Sequence, residues 1–266
     1  MTDSISRRIT RYAEGAPEHT DACLIMEEPL SIRVDGKSYS VVMRTPGDER
    51  AHVAGFCLSE GLIDHIEEIE TLGFCTEDSV NVGTLTLMEQ RRQKVSELLE
   101  RKGFISQTSC GICGKEVVKD LLQIVTPLPQ TLRITVGQAM ACMDALPRHQ
   151  DLHKRTHSAH AAMIFDAGLK PLAFAEDVGR HNALDKAIGK VFLDNLLPDA
   201  VIGVISSRLS YELVQKAARA GIEMLIGISR PTALAVDLAD SVNMTIACAR
   251  KENLLVFCGG KRLIEG

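Results

Sequence analysis

The pattern of apolar and polar positions divides the chain into recognisable elements. Across residues 30–43, Ser31-Ile32-Arg33-Val34 alternates, Asp35-Gly36 supplies a strong turn pair, and 38–43 returns, which predicts a β-hairpin. Thr45-Pro46-Gly47-Asp48 breaks that strand, and Val53, Phe56 and Cys57 at helical spacing predict a helix over about 48–60. Residues 81–88 alternate again, and 89–102 read as a charged helix stopped by Gly103. A loop rich in Gly, Ser and Thr follows over 103–115, and Pro127 and Pro129 mark a boundary. Beyond it the pattern predicts a short helix over 134–144 and strands at 158–165 and 171–175 about a turn at Gly168.

From residue 182 onward the pattern is that of an α/β fold. Asn182 is placed to cap a helix reaching about residue 192, with Asp185 three residues on as the acid of a capping box. Residues 200–205 suit a buried strand, and Ser207 or Ser210 opens a helix ending near Gly221. A strand at 224–228, a helix from Pro231 to about 240, and strands at 242–247 and 254–257 complete the order. Strand, helix, strand, helix, strand implies a sheet covered by helices, with ligands near the carboxyl ends of its parallel strands. The organisation expected is a tail over 1–20, a smaller β-rich N-terminal α+β subdomain over 21–130 that ends in the 103–115 loop, and an α/β ligand-binding domain over 131–266.

Composition narrows the class. Hydrophobic residues make up 45% and charged residues 24% of the 266, an ordinary globular balance, and the net charge of -5 argues against nucleic acid as a general partner. No apolar run reaches the roughly 20 residues that span a bilayer, and the polar N-terminus has no secretory core, so a cytoplasmic protein is expected. Eight cysteines in a reducing compartment read as thiols rather than a disulfide framework.

Only two of them stand close together, in Ser109-Cys110-Gly111-Ile112-Cys113-Gly114-Lys115. Two thiols three residues apart can exchange a disulfide, share a metal or relay sulfur. The glycines leave both sulfurs accessible, and Lys115 favours the thiolate. A zinc half-site would need two further ligands, and no second CxxC exists. The histidine-rich stretch His149, His153, His157 and His160 is read as a solvated basic segment with a strand-entry histidine at 160, rather than as a metal site.

A second motif, Glu176-Asp177-Val178-Gly179-Arg180-His181-Asn182, packs two acids, a guanidinium and an imidazole before a helix. It can be a salt-bridged helix start continued by Asp185 and Lys186. It can equally be a pocket in which Arg180 and the helix N-terminus face an anion, with His181 orienting a ligand or moving a proton. Ser206-Ser207-Arg208-Leu209-Ser210 and Ser229-Arg230-Pro231-Thr232 repeat the theme after the next two strands. Three such turns favour a phosphate-bearing ligand at one edge, and the absence of a Walker motif and of GxGxxG disfavours an ordinary nucleotide hydrolase or dehydrogenase.

Taken together these motifs resemble the formate dehydrogenase accessory sulfurtransferase family, FdhD. The resemblance is carried by Thr45-Pro46-Gly47-Asp48, Gly55-Phe56, Ser59-Glu60-Gly61, the 109–115 loop, the 176–183 motif with Asp185-Lys186, then Ser207-Arg208, Ser210, Glu212, Lys216 and Ser229-Arg230-Pro231-Thr232-Ala233. It implies a sulfurtransferase of molybdenum cofactor biosynthesis that takes sulfur from a cysteine desulfurase. The sulfur passes to the molybdenum bis-guanine-dinucleotide cofactor, bound as substrate, for the benefit of formate dehydrogenase. It implies a cytidine-deaminase-like sheet flanked by helices, and a homodimer. Cys110 matches the persulfide-bearing cysteine and Cys113 its partner. The stretch Cys248, Ala249, Arg250, Lys251, Glu252, Asn253 matches a cofactor-contacting segment, joined by Arg180, His181, Arg208, Arg230 and Thr232 from the turns. The deaminase zinc signature, HxE followed by PCxxC, is not reproduced, since Ser109 stands where its proline would, and no resident metal is expected. A loop that must meet a donor protein and then an internal pocket is expected to be mobile over 103–115. A non-enzymatic cofactor-binding chaperone and a zinc-dependent deaminase-like hydrolase are the alternatives.

Overall fold

The apolar runs of the second half become one six-stranded mixed sheet. The computed structural model describes residues 2–77, 80–102, 125–251 and 253–265. The sheet is built from β8 (His160–Phe165), β9 (Pro171–Asp177), β10 (Ile202–Arg208), β11 (Met224–Ser229), β12 (Thr245–Arg250) and β13 (Asn253–Cys258), in the order β13-β12-β11-β10-β8-β9. Strands β10, β11 and β12 are mutually parallel, while β8 and β13 run against their neighbours. Since β9 is antiparallel to β8, it points the same way as β10, and four carboxyl ends share one edge.

Side chains alternate across this sheet. Ala162, Ile164, Ile205, Leu225 and Ile246 enter the larger core, and Ala161, Met163, Phe165, Val204 and Ile226 enter a second cluster on the opposite face. The larger core is closed by α5 (Arg180–Leu193), α6 (Tyr211–Arg219) and α7 (Ala233–Ser241). The second is closed by α3 (Val136–His149), through Ala139, Cys142, Met143 and Leu146.

The first half supplies a four-stranded sheet of β3 (Glu28–Val34), β4 (Lys37–Arg44), β5 (Ile69–Glu77) and β6 (Val80–Leu87), in the order β4-β3-β6-β5. Helix α1 (Glu49–Ser59) lies between this sheet and α5, and Leu30, Ile32, Val53, Phe56, Leu184 and Ile188 belong to one continuous core. The contact of α1 with α5 is made at glycines. A Cβ at Gly55 would collide with the Asp185 carbonyl, and one at Gly189 with the Ala51 carbonyl. Helix α2 (Glu89–Lys102) follows β6, α4 (Asp151–Thr156) follows α3, and β7 (Ile134–Thr135) pairs with β14 (Leu263–Ile264).

Several expectations are corrected. The segment expected to be a tail holds β1 (Ser4–Arg11), which pairs along its whole length with β2 (Glu18–Ile25). Backbone pairing stabilises this ribbon, and its side chains are largely exposed, so no buried stripe marked it. The helix expected over 134–144 begins after a short strand and extends to His149, because Thr135 and Gln138 form the capping box that starts it. Asn182 is not a cap: Gly179 is, and Asn182 Nδ2 instead donates to Met43 O at 2.7 Å and Asp177 Oδ1 at 2.9 Å. Among the described residues no helix is long and apolar enough to cross a membrane.

One consequence of this packing is testable by pH. His52 of α1 is fully buried, and burial, then the charges of Lys186, Lys216 and Arg44, holds its imidazole neutral well below the ordinary value of 6.5. The unfolded chain takes a proton at His52 near 6.5, and the folded chain does so only at much lower pH. The neutral histidine's contribution is therefore complete above 6.5 and is lost as pH falls below it. His52→Leu is expected to flatten the fall in melting temperature between about pH 6.5 and 5. An unchanged slope in a melting series would refute this.

Candidate anion-binding edge

The shared carboxyl edge begins at Asp177, the last residue of β9. Its carboxylate is fully buried and accepts from Thr45 N at 3.0 Å, Gly179 N at 2.8 Å and Asn182 Nδ2 at 2.9 Å, and it pairs with Lys186 Nζ at 2.7 Å. Lys186 also donates to Thr45 O at 2.7 Å, and Val178 N donates to Thr45 Oγ1 at 3.0 Å. The strand-breaking stretch after β4 thus buttresses the turn from β9 into α5. A buried carboxylate with four donors holds the backbone that precedes Arg180.

Two of the three helix starts at this edge carry no side-chain cap. Neither Gly179 before α5 nor Ser210 before α6 offers its helix a side-chain acceptor, so the first-turn amides lack a capping partner from these residues. The α7 start differs: Thr232 Oγ1 accepts from Ala235 N at 3.3 Å. Direct contacts join the three. His181 Nε2 on α5 meets Glu212 Oε2 on α6 at 2.8 Å, with Ser210 Oγ 3.5 Å from the same nitrogen. Thr232 N at the α7 start donates to Leu209 O in the turn before α6 at 3.0 Å.

The arginines of the three turns differ in burial. Arg180 is half-buried, and its Nε is enclosed without a hydrogen-bond partner among the described residues. Arg208 and Arg230 are exposed. A break in register after Ile205 lets Ser206 Oγ accept from Ala161 N at 2.8 Å and Ser207 Oγ donate to Arg208 O at 3.0 Å. His160 opens β8 opposite Asp177, and burial, then the positive charge of Arg180, pushes its pKa down. The hydrogen bond from His181 is the chief reason that the Glu212 carboxyl lies below its ordinary range. Uncapped amides, guanidinium groups and an imidazole oriented by a carboxylate make an edge suited to an anion such as phosphate.

The other candidate residues are placed as follows. Cys248 is fully buried in β12, so in that segment Arg250, Lys251 and Asn253 present side chains to solvent while Ala249 is half-buried. Lys251 has a φ of 46° in the turn between β12 and β13, and Glu252 lies outside the described residues. So does the whole loop of Cys110 and Cys113, with the mobility expected of it. In the histidine-rich stretch, His153 Nδ1 contacts Ala159 O at 2.9 Å and His149 Nδ1 contacts Ala145 O at 3.1 Å. Among the described residues no three His, Cys, Asp or Glu side chains are grouped to hold a metal. The Asp177–Thr45 buttress escaped the sequence, since its partners are 132 residues apart; the one signal was the unusual Thr-Pro-Gly-Asp break.

Comparison with known proteins adds a lineage to this geometry. The family model described as FdhD/NarQ matches residues 25–264. A protein of Nocardia farcinica named sulfur carrier protein FdhD is 35% identical over 264 residues, covering 97% of this chain and 94% of its own. One of the same name from Anaeromyxobacter dehalogenans is 36% identical over 251 residues, covering 90% and 87%. A crystal structure from Desulfotalea psychrophila, of a protein described as a formate dehydrogenase accessory protein, superposes with a TM-score of 0.79. It covers 99% of this chain and 100% of that one at 23% identity, and it has the same fold.

Proposed function

Because the chain belongs to the FdhD/NarQ family, we propose that it is a sulfur carrier that serves formate dehydrogenase as a sulfurtransferase. It accepts sulfur from a cysteine desulfurase on Cys110 and delivers it to the molybdenum bis-guanine-dinucleotide cofactor, which is its substrate. The observation that carries the second half of this reading is the meeting of three helix-start turns through the His181–Glu212 and Thr232–Leu209 contacts. A dinucleotide with several phosphates suits an edge that presents Arg180, Arg208 and Arg230 together with uncapped amides. Arg250, Lys251 and Asn253, at the end of the neighbouring strand, extend that surface.

The chemistry asked of the protein is sulfur exchange. The Cys110 thiolate attacks the terminal sulfur of the donor persulfide. A new S–S bond forms at Cys110 and the donor cysteine leaves as a thiolate, with no net oxidation. Attack by the Cys113 thiolate on Cys110 Sγ then releases hydrosulfide and leaves a Cys110–Cys113 disulfide, which a thiol reductant reopens. His181, oriented by Glu212, is placed to supply or accept the proton that accompanies sulfur at this edge. The reading includes a cytoplasmic homodimer.

Guanosine diphosphate, as a fragment of the cofactor, tests the pocket. It is expected to bind the wild-type protein, and Arg180→Ala and Arg208→Ala are each expected to weaken binding about tenfold, as loss of a charge-assisted contact would. Calorimetry that detects no binding at millimolar nucleotide would remove the support for the edge as the cofactor site.

A further inference from the structure

Two rungs connect α5 with α6, and only the outer one touches the proposed ligand edge. His181 and Asp185 are four residues apart on α5, and Glu212 and Lys216 are four apart on α6, so each pair occupies one helix face. The outer rung is His181–Glu212 at 2.8 Å. The inner rung is Lys216 Nζ against both oxygens of Asp185, at 2.9 and 2.8 Å. Asp185 is 1% exposed and also accepts from Ser59 Oγ of α1 at 2.9 Å. The Lys216 ammonium lies 5.4 Å from the centre of the Phe56 ring, again on α1. Acidic and basic side chains alternate along the ladder: histidine faces acid above, and acid faces lysine below.

The inner rung is a poor choice if its only task is stability. Removing two charges from water costs several kcal/mol, and well-packed apolar side chains of similar volume are often as stable as such a pair or more so. What apolar contacts do not supply is a fixed register, since they tolerate sliding where a bidentate charged hydrogen bond does not. The inner rung lies one helical turn behind the outer one, so a small shift of α6 would pull Glu212 from His181 and Ser210 from the edge.

We propose that Asp185 and Lys216 are positioning residues that lock the start of α6 against the start of α5, so that Arg180, His181 and Ser210 address a single phosphate-bearing ligand. This deepens the function proposed above and relies on it for the ligand. Thr45, Asp177 and Lys186 hold the α5 start from the β9 side. Asp185 and Lys216 hold the α6 start to it.

The test separates position from stability. Lys216→Met alone leaves a buried carboxylate unpaired and can fail to fold, so the informative variant is Asp185→Asn with Lys216→Met, which keeps both side chains close to their size, leaves an acceptor for Ser59 Oγ and removes both charges. Three quantities are read: the melting temperature, the titration of the Glu212 carboxyl by carbon NMR, and the affinity for guanosine diphosphate. The double variant is expected to melt within a few degrees of wild type. Its Glu212 carboxyl is expected to return towards the ordinary range as the His181 contact loosens, and its nucleotide affinity to fall about tenfold. Lys216→Arg, which keeps the charge and the hydrogen bonds, is expected to restore the low Glu212 titration. A double variant that keeps both the low titration and the full affinity overturns the proposal, as does one that does not fold, which would make the pair a stability element. Wild-type protein that ignores the nucleotide while the Glu212 titration still moves would overturn the ligand reading and support the positioning role.

Discussion

Cys110→Ala is expected to carry no sulfur after incubation with a desulfurase and cysteine, and to leave formate dehydrogenase inactive in a maturation assay. The reason lies in which thiols can become thiolates. In the sequence Cys110 is flanked by Ser109 and Gly111, with the cation of Lys115 five residues on, a composition that favours a reactive thiolate. The buried thiols are poor substitutes. Burial, then the charges of Glu60 and Asp185, pushes the Cys57 thiol far up, and burial pushes Cys142 up to about 11 and Cys258 upward as well. Cys248 is fully enclosed in β12. Cys75 is exposed and Cys23 half-buried, so the added sulfur must be located by peptide-level mass spectrometry rather than by total mass. Wild-type protein is expected to gain one sulfur at Cys110, and the variant none, with an unchanged melting curve. Cys113→Ala is expected to load sulfur and to release it more slowly. A Cys110→Ala protein that matures the enzyme at the wild-type rate would end the sulfur-carrier reading of this loop.

What the sequence disclosed depended on how local the determining physics was. The hairpin of β3 and β4 was legible because Asp35-Gly36 forms its whole two-residue loop, with φ of 49° and 74°. The α/β order from residue 200 onward was legible because β10 and β11 are each a largely buried apolar run followed by a polar helix start. The β1–β2 ribbon was not, since Arg7, Arg8 and Arg11 interrupt it and neither face is buried deeply enough to leave a period. The capping role given to Asn182 failed to a competitor that the local rule ignores: acceptors on Met43 and Asp177 satisfy its amide in three dimensions.

The candidate edge divides the same way. Each turn was visible alone, as an arginine beside a helix start, with serine and threonine added in the second and third. Their convergence was not, because it rests on His181 meeting Glu212 and Thr232 meeting Leu209, contacts no local pattern encodes. The helical spacing of His181 with Asp185, and of Glu212 with Lys216, was present in the sequence all along. It acquires meaning only once α5 and α6 are known to lie side by side. Charged residues at such spacing on one helix read as a solvated face, whereas here the lower rung is buried and the upper one borders the ligand edge.

Gly189→Ala sets helix propensity against packing, and packing is expected to win by a wide margin. In the interior of α5, alanine would favour the helix by about 1 kcal/mol. The added methyl, however, would point into the Ala51 carbonyl of α1, and at Gly55 the equivalent methyl would point into the Asp185 carbonyl. Both obstacles are backbone, so no side-chain rotation relieves them, and α1 and α5 would have to part. That separation would disturb the continuous core and the register of Asp185 with Ser59 and Lys216. Overpacking of this kind costs about 3 kcal/mol or more, which in a chain of this length lowers the melting temperature by roughly 6–12 °C. Gly55→Ala is expected to behave alike. Gly137→Ala is the control: it lies on the exposed side of α3, and its methyl would meet nothing closer than Thr135 Oγ1 at 3.9 Å. There propensity acts alone, and a gain of about 0.5–1 kcal/mol is expected. Denaturant unfolding should show the three midpoints moving in these opposite directions at a constant slope. A Gly189→Ala protein as stable as the Gly137→Ala protein would mean that the helices do not approach through their backbones as described.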